Sequence, residues 1–369
     1  MKIFNCSLTV LSPLHIGGSA SEANTMEFYY DRKQKYLYHV SEKKIAAAFK
    51  GGGLTEDFLN FMNSGEGSLE DYLVITPYIP RESIREMLGG RKISLKTQVG
   101  RIKTFRPLLQ DPLSKRPYIP GSSIKGALRT VALLMLLDRD AYSHKEIERA
   151  VERSKFKDRQ RVGKSMVRRL LETAGLEHTK SGPHRDWLRS LKVSDAFCED
   201  PEPSSIREVK VVSLNKNGKG YHWGAKGNSI FIETIDPGTT FYFTMEIDRG
   251  LLDMMGRFRK PLFDPEELFD NTIIKKYVSE PEQRFWKQCE LPSIQAKEQQ
   301  RFGGTCLKLG WGSGYLNTTI GAYLSENVRL QIGQKFYRSR YNIFPNSRKV
   351  IVENGAPVDT LGWCKLEKV

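Results

Sequence analysis

Between Ile124 and Met135 the apolar residues Ile124, Leu128, Val131 and Met135 recur at i, i+4, i+7 and i+11. That spacing lays one apolar stripe along an α-helix. The turn Pro117-Tyr118-Ile119-Pro120-Gly121 stands immediately before it, and Ser122 or Ser123 is a natural N-cap. Such a stripe needs a sheet or other helices to cover it. The chain offers strands on both sides. Phe4 to Val10 alternates apolar and polar residues, as a half-buried strand does. Tyr36–Val40 reads as a second strand, after which Ser41 caps a helix through Phe49. Trp187 to Asp195 passes into a strand, Val209–Leu214 and Ser229–Ile235 read as two arms of a long hairpin, and Phe241–Ile247 follows the turn at Asp236-Pro237-Gly238. Pro261 to Tyr277 reads as a helix. A strand, a long excursion, a helix, then paired strands and a helix predict an α+β sheet with large insertions. There is no internal repeat and no low-complexity linker.

Charge narrows the partners. The chain of 369 residues carries a formal net charge of +15, and a field of that sign favours nucleic acid. The segment Arg91 to Arg106 holds no acid, and Arg153 to Arg169 holds eight Lys and Arg against the lone Asp158. The latter reads either as a solvated helix face or as an RNA contact. The longest apolar stretch, Val131 to Leu137, is far too short to span a bilayer, and no signal-peptide core is visible. A cytoplasmic location without membrane contact is expected. Cys6, Cys198, Cys289, Cys306 and Cys364 are scattered singly, so neither a disulfide framework nor a zinc site is expected, and His178, His184 and Cys198 lack a fourth ligand. No cofactor is expected.

Three segments suit a polyanion. Gly121 to Arg129 opens a helix, whose free N–H groups favour phosphate; Ser122 and Ser123 sit at its start, Lys125 and Arg129 share a face, and Gly126 allows close backbone approach. The alternative is an ordinary capped core helix. The residues after Gly126 are Ala127-Leu128, so no Walker loop is present. In Gly303 to Tyr315, the glycines Gly310, Gly312 and Gly314 expose successive amides, Lys308 adds charge, and Trp311 and Tyr315 offer stacking faces. A tight glycine turn packed on the core fits the same composition. The hairpin tip, with Lys219 and Trp223, reads as an RNA-contacting finger or as a solvated loop. His15, beside Gly17 and Gly18, is either a general base for metal-free RNA cleavage or a packing residue. No nucleophile elbow and no carboxylate cluster appears.

Together these segments resemble one family. Leu8-Thr9-Val10-Leu11-Ser12-Pro13-Leu14-His15-Ile16-Gly17-Gly18 is similar to the first strand and loop of RAMP proteins. Tyr118 to Arg129, Leu309 to Gly314, and Lys192 to Ala196 resemble their signature helix start, late glycine loop and second core strand. The tail, Phe344 to Lys349 and Leu361 to Lys365, is similar to that of the fifth-subunit family of type III-A CRISPR (Csm) effector complexes. The resemblance implies a ferredoxin-like, RRM-like core, built from residues 1–40 and 104–260 with a hairpin insertion. A mostly helical insertion over 41–103 and a C-terminal region over 261–369 would complete the chain. It implies guide RNA (crRNA) as ligand, with Gly17, Gly18, Ser122, Ser123, Lys125, Gly126, Arg129, Lys219, Trp223, Lys308, Gly310, Gly312, Gly314 and Arg348 as its contacts. Backbone and small subunits of the complex, target RNA and a host trimming nuclease are the other implied partners. The implied role is to cap the backbone at the 3′ side of the guide and to support guide maturation and antiviral defence.

The shorter backbone subunits of the family cut target RNA with an aspartate six residues before the aspartate of an Asp-Pro turn. Counting back from Asp111 reaches Phe105, so the resemblance implies binding without cleavage. The competing readings are a metal-independent endoribonuclease that uses His15, and a protein module that recruits a trimming nuclease.

Overall fold

The computed structural model describes residues 1–17, 22–31, 33–64, 67–75, 84, 89–97, 102–139, 141–153, 171, 186–224, 227–256, 264–270, 272–303 and 306–369. Gly18 and residues 154–170, which hold a predicted contact and most of the predicted basic helix, lie outside this set, as do His178 and His184.

The strand Lys2–Val10 lies at the centre of a five-stranded sheet in the order 306–308, 363–368, 2–10, 240–247, 191–193. Every neighbouring pair is antiparallel. The alternation read from sequence puts Cys6, Leu8 and Val10 inward, together with Phe241, Phe243, Met245 and Ile247 of the neighbouring strand Thr240–Ile247. The helix Gly121–Arg139 covers this face. Its predicted stripe is buried, and so are Leu133, Leu134, Leu136 and Leu137, because the Thr272–Gln288 helix and other elements enclose its second half. The main core sits here.

The second sheet has eight strands. The long strand Ser204–Leu214 is its hub. One flank pairs with Ser347–Glu353; the other pairs with Ile230–Ile235 and, further along, with Tyr221–Trp223. The expected hairpin is therefore split. Residues 230–235 return along 204–209, whereas the tip closes early through 221–223. Phe28–Asp31, Tyr36–Val40 and Gly89–Leu95 extend this sheet.

Several boundaries differ from the sequence reading. The region 41–103 supplies helices Glu42–Gly52, Thr55–Ser64 and Leu69–Ile75 with their own small core around Phe49 and Tyr72, but also one strand of the second sheet. A division at residue 260 cuts the first sheet, because Trp363–Lys368 pairs beside the first strand. The helix expected over Pro261 to Tyr277 is two pieces. Asp264 and Glu267 form a capping box on a short 3₁₀ turn, Pro265–Phe269, and the long helix starts at Thr272. Among the described residues, no helix is long and apolar enough to cross a membrane.

Candidate nucleic-acid interface

Two glycine loops separated by almost the whole chain meet in space. The backbone N–H of Trp311 donates to the His15 carbonyl at 2.9 Å, and Leu109 N–H donates to the Ile16 carbonyl at 2.8 Å. The segment 104–110 is threaded between the first loop and the strand Ile230–Ile235: Arg106 N–H donates to the Phe231 carbonyl and Glu233 N–H donates to that of Arg106. The result is a cleft of about 480 Å³ lined by His15, Gly17, Arg106, Ser123, Gly310 and Trp311, with Glu22 at its rim. Thus the first loop, the helix start and the late glycine loop, each read separately from sequence, line one cavity.

Its floor is held by Glu233, which is fully buried. One carboxylate oxygen accepts from Ser204 Oγ at 2.7 Å, the other from Leu108 N–H at 3.0 Å, and Arg91 pairs with the group. Arg91 of the acid-free run is therefore structural. His15 is 2% exposed. Its Nδ1 donates to the Glu233 carbonyl at 2.7 Å, since a carbonyl only accepts. Burial holds the imidazole below its ordinary pKa, against the opposing pull of that hydrogen bond. A ring so enclosed ties the first loop to the strand Ile230–Ile235.

Arg106 lines the cleft, and both Arg106 and Lys349 lie on the ring of Trp311, another of its lining residues. The Arg106 guanidinium lies 5.1 Å and Lys349 Nζ 4.4 Å from the centre of the Trp311 ring. Arg106 also holds Glu22 at 2.9 Å, and that hydrogen bond keeps the Glu22 carboxyl below its usual range. Burial first, and the Arg106 charge second, lower the Lys349 pKa. Neither cation is among the contacts expected from sequence, although Arg106 ends the acid-free run and Lys349 closes the tail motif. What the sequence lacks is the strand face each occupies.

The other predicted contacts divide. The helix begins at Gly121, so Ser122 and Ser123 lie in its first turn and do not cap it. The Asp195 carboxylate accepts the Gly121 N–H at 2.8 Å and already answers the helix dipole. Ser122 is exposed and Ser123 reaches the cleft. Lys125 donates to the Leu191 carbonyl at 2.6 Å, and burial lowers its pKa; Arg129 pairs with Asp186. Both are engaged within the chain. Among the described residues outside its own helix turn, none comes within 4 Å of a Cβ placed on Gly126. Gly310 has φ +72° and abuts the His15 carbonyl, and Gly312 abuts Leu361, so both are packed turns; Gly314, at φ +81°, is open.

Two expectations are corrected outright. Lys308 is buried, 3.9 Å from Glu298 and over the Trp363 ring, because its strand points that side chain inward. Arg348 is buried too. Its Nε donates to both oxygens of Glu282 at 3.0 Å, and it covers the Phe285 ring. Neither cation is presented to an external ligand. At the finger, Lys219 is exposed and lies 3.5 Å from Glu290, whereas Trp223 is half-buried against Tyr221 and the core around Phe285. Phe105 is buried against Phe28 and His39, so no carboxylate occupies that position.

The RAMP superfamily model matches residues 7–300. The protein Csm5 of Mycobacterium tuberculosis strain CDC 1551 is 25% identical over 245 residues, 65% of this chain and 58% of that protein. Csm5 of Methanocaldococcus jannaschii is 23% identical over 327 residues, 79% of this chain and 69% of that one. The chain thus spans less than two thirds of the mycobacterial relative's length. Among solved structures, a chain of a Csm–crRNA–target RNA ternary complex of a type III-A CRISPR-Cas system superposes with TM-score 0.69 at 20% identity, over 99% of this chain and 100% of that chain. Crystalline T. onnurineus Csm5 superposes with TM-score 0.60 at 19% identity, over 97% and 99%. With a family match that runs from the first strand to the end of the helix Pro292–Arg301, the chain belongs to the RAMP superfamily.

Proposed function

We propose that this protein is a non-catalytic, guide-RNA-binding subunit of a type III-A Csm effector complex. The observation that carries the reading is the cleft itself, where three remote segments converge and Trp311 sits against two cations. Phosphates are positioned by Arg106, Lys349 and the N–H groups of the glycine loops, and Trp311 offers an edge or face to an unpaired base. The sheet order 363–368, 2–10, 240–247, 191–193 corresponds, in chain order of these strands, to 4-1-3-2 with helices between the first two and the last two. That order supports a ferredoxin-like core extended by the edge strand Cys306–Lys308. On this reading the core joins residues 2–10 to 363–368, and the backbone and small subunits of the complex are its protein partners. On the same reading the protein sits at the 3′ side of the guide and takes part in guide maturation and antiviral defence, with target RNA and a trimming nuclease as further partners. The buried, hydrogen-bonded His15 and the absence of a carboxylate at Phe105 favour binding over cleavage.

The test is retention of labelled single-stranded RNA by the full chain as a function of salt. Affinity should fall steeply with salt, and the double variant Arg106→Ala/Lys349→Ala should flatten the log–log slope by about 1.4, at about 0.7 per phosphate released. An unchanged slope, with RNA still bound, removes the cleft from the RNA path.

A further inference from the structure

A second groove, of about 600 Å³, opens beside the C-terminus of the helix Glu326–Tyr337. Its walls include Lys216, Tyr337, Arg338, Arg340 and Tyr341, and its base is Phe344. Among the described residues, no carboxylate lines it. The sequence run Tyr337-Arg338-Ser339-Arg340-Tyr341 alternates aromatic, cationic and hydroxyl side chains. Tyr337 is 52% exposed, and Arg338, Arg340 and Lys216 are exposed too. Tyr337 and Tyr315 both lie against Phe344, with ring centres 5.0 and 5.2 Å away, so the aromatic wall is braced from behind. Arg338 closes the helix at φ +54°, with a backbone bond back to Gly333, which turns the basic run out of the helix.

This groove is joined to the cleft by two short pieces of chain. Gly310 and Trp311 line the cleft and Tyr315, four residues on, lines the groove. On the strand Ser347–Glu353, Ser347 lines the groove while Lys349 lies over Trp311. Alternation along a strand places residues i and i+2 on one face, about 7 Å apart, with Arg348 turned to the core between them. One face of that strand thus runs from the groove, at Ser347, to the Trp311 ring, under Lys349.

We infer that the groove is a second single-stranded RNA subsite, which takes one or two unstacked nucleotides next to those held in the cleft. Tyr337 and Tyr341 supply stacking faces, and Arg338, Arg340 and Lys216 neutralise the flanking phosphates. Sequence preference is weak, because every base has a face to stack. An acidic protein segment would use the cations alone and leave the tyrosine wall idle. The inference rests on the proposed RNA-binding reading of the cleft.

The experiment compares oligouridylates of roughly five and roughly twelve nucleotides, lengths within the range that one such platform covers. Full-length protein is titrated with each. Arg338→Gln/Arg340→Gln and Tyr341→Ala should each weaken the longer RNA about tenfold and leave the shorter one within about twofold, as loss of one stacked base or two phosphate contacts predicts. Tyr341→Trp should preserve or strengthen the longer complex, which a purely structural role for Tyr341 would not. A 4-thiouridine in the longer RNA should crosslink within 337–347. Arg106→Ala/Lys349→Ala should weaken both lengths. If both lengths depend on Arg106 and Lys349 but neither on the groove, the subsite is wrong and the cleft stands. If the groove variants weaken both lengths equally, or poly-glutamate competes and RNA does not, the subsite is also wrong. If neither RNA binds, both readings fall together.

Discussion

The carbonyl of His15 accepts a hydrogen bond from the N–H of Trp311 at 2.9 Å, across roughly four fifths of the chain. That bond passes beside Gly310, where any side chain would overlap the same carbonyl oxygen. The joint between the first and last glycine loops is a backbone-to-backbone contact, and it sets the width of the cleft.

Gly310→Ala should therefore be far more damaging than Gly314→Ala. Both have positive φ, and Gly314, at φ 81° and ψ 167°, lies in a region essentially restricted to glycine; such conformations cost a residue with a Cβ about 1–3 kcal/mol. Gly314 has open space around it and should lose only that amount; Gly310 must also displace His15. Urea unfolding of both variants checks the difference, and equal midpoints would contradict the joint.

At Gly126 the direction reverses. The residue sits in a helix at negative φ with no neighbour, so Gly126→Ala should stabilise the free chain by about 0.5–1 kcal/mol. If RNA or a partner backbone docks closely there, the same variant should weaken assembly despite raising Tm. Thermal melts paired with reconstitution of the complex read both effects.

Arg348→Ala should unfold the protein more readily and should not act as an RNA-contact variant. It strands Glu282, which is 2% exposed, as an unpaired buried charge. Removing one member of such a pair costs about 3–5 kcal/mol, whereas Glu282→Gln/Arg348→Met should recover much of the loss. Denaturant titration of single and double variants gives the coupling directly.

Stability should fall on mild acidification. Burial lowers the pKa of both His15 and His39 in the folded chain, so between those lowered values and about pH 6.5 the unfolded chain binds more protons than the folded one. Stability then rises with pH through that window and is lost as pH falls. Each imidazole should contribute to that loss, because its burial disfavours the charged form in the folded chain alone. His15→Gln should remove its share of the difference between neutral and acidic denaturation curves; an unaltered difference would show that His15 titrates normally.

The order of core elements is legible in the sequence because each carries a period. Phe4 to Val10 and Phe241 to Ile247 alternate, and Ile124 to Met135 repeats at helical spacing, and burial follows these patterns. The glycine loops and Trp311 are legible as chemistry. Lys308 and Arg348 mislead because a basic residue looks the same in sequence whether its strand points it out or in. Arg348 lies between Ser347 and Lys349, and only the pairing of that strand with Ser204–Leu214 decides which of the three faces the core.

Local sequence thus showed the periodic core strands, the central helix and the family, since periodicity and turn chemistry act over a few residues. Tertiary structure alone decided that residues 15–17, 106, 123, 310–311 and 349 share one surface, and which cations remain on it. The reason is that strand register and chain threading are long-range choices. A side chain's charge becomes available to a ligand only after the fold has taken the partners it needs for buried carboxylates such as Glu233, Glu282 and Glu298.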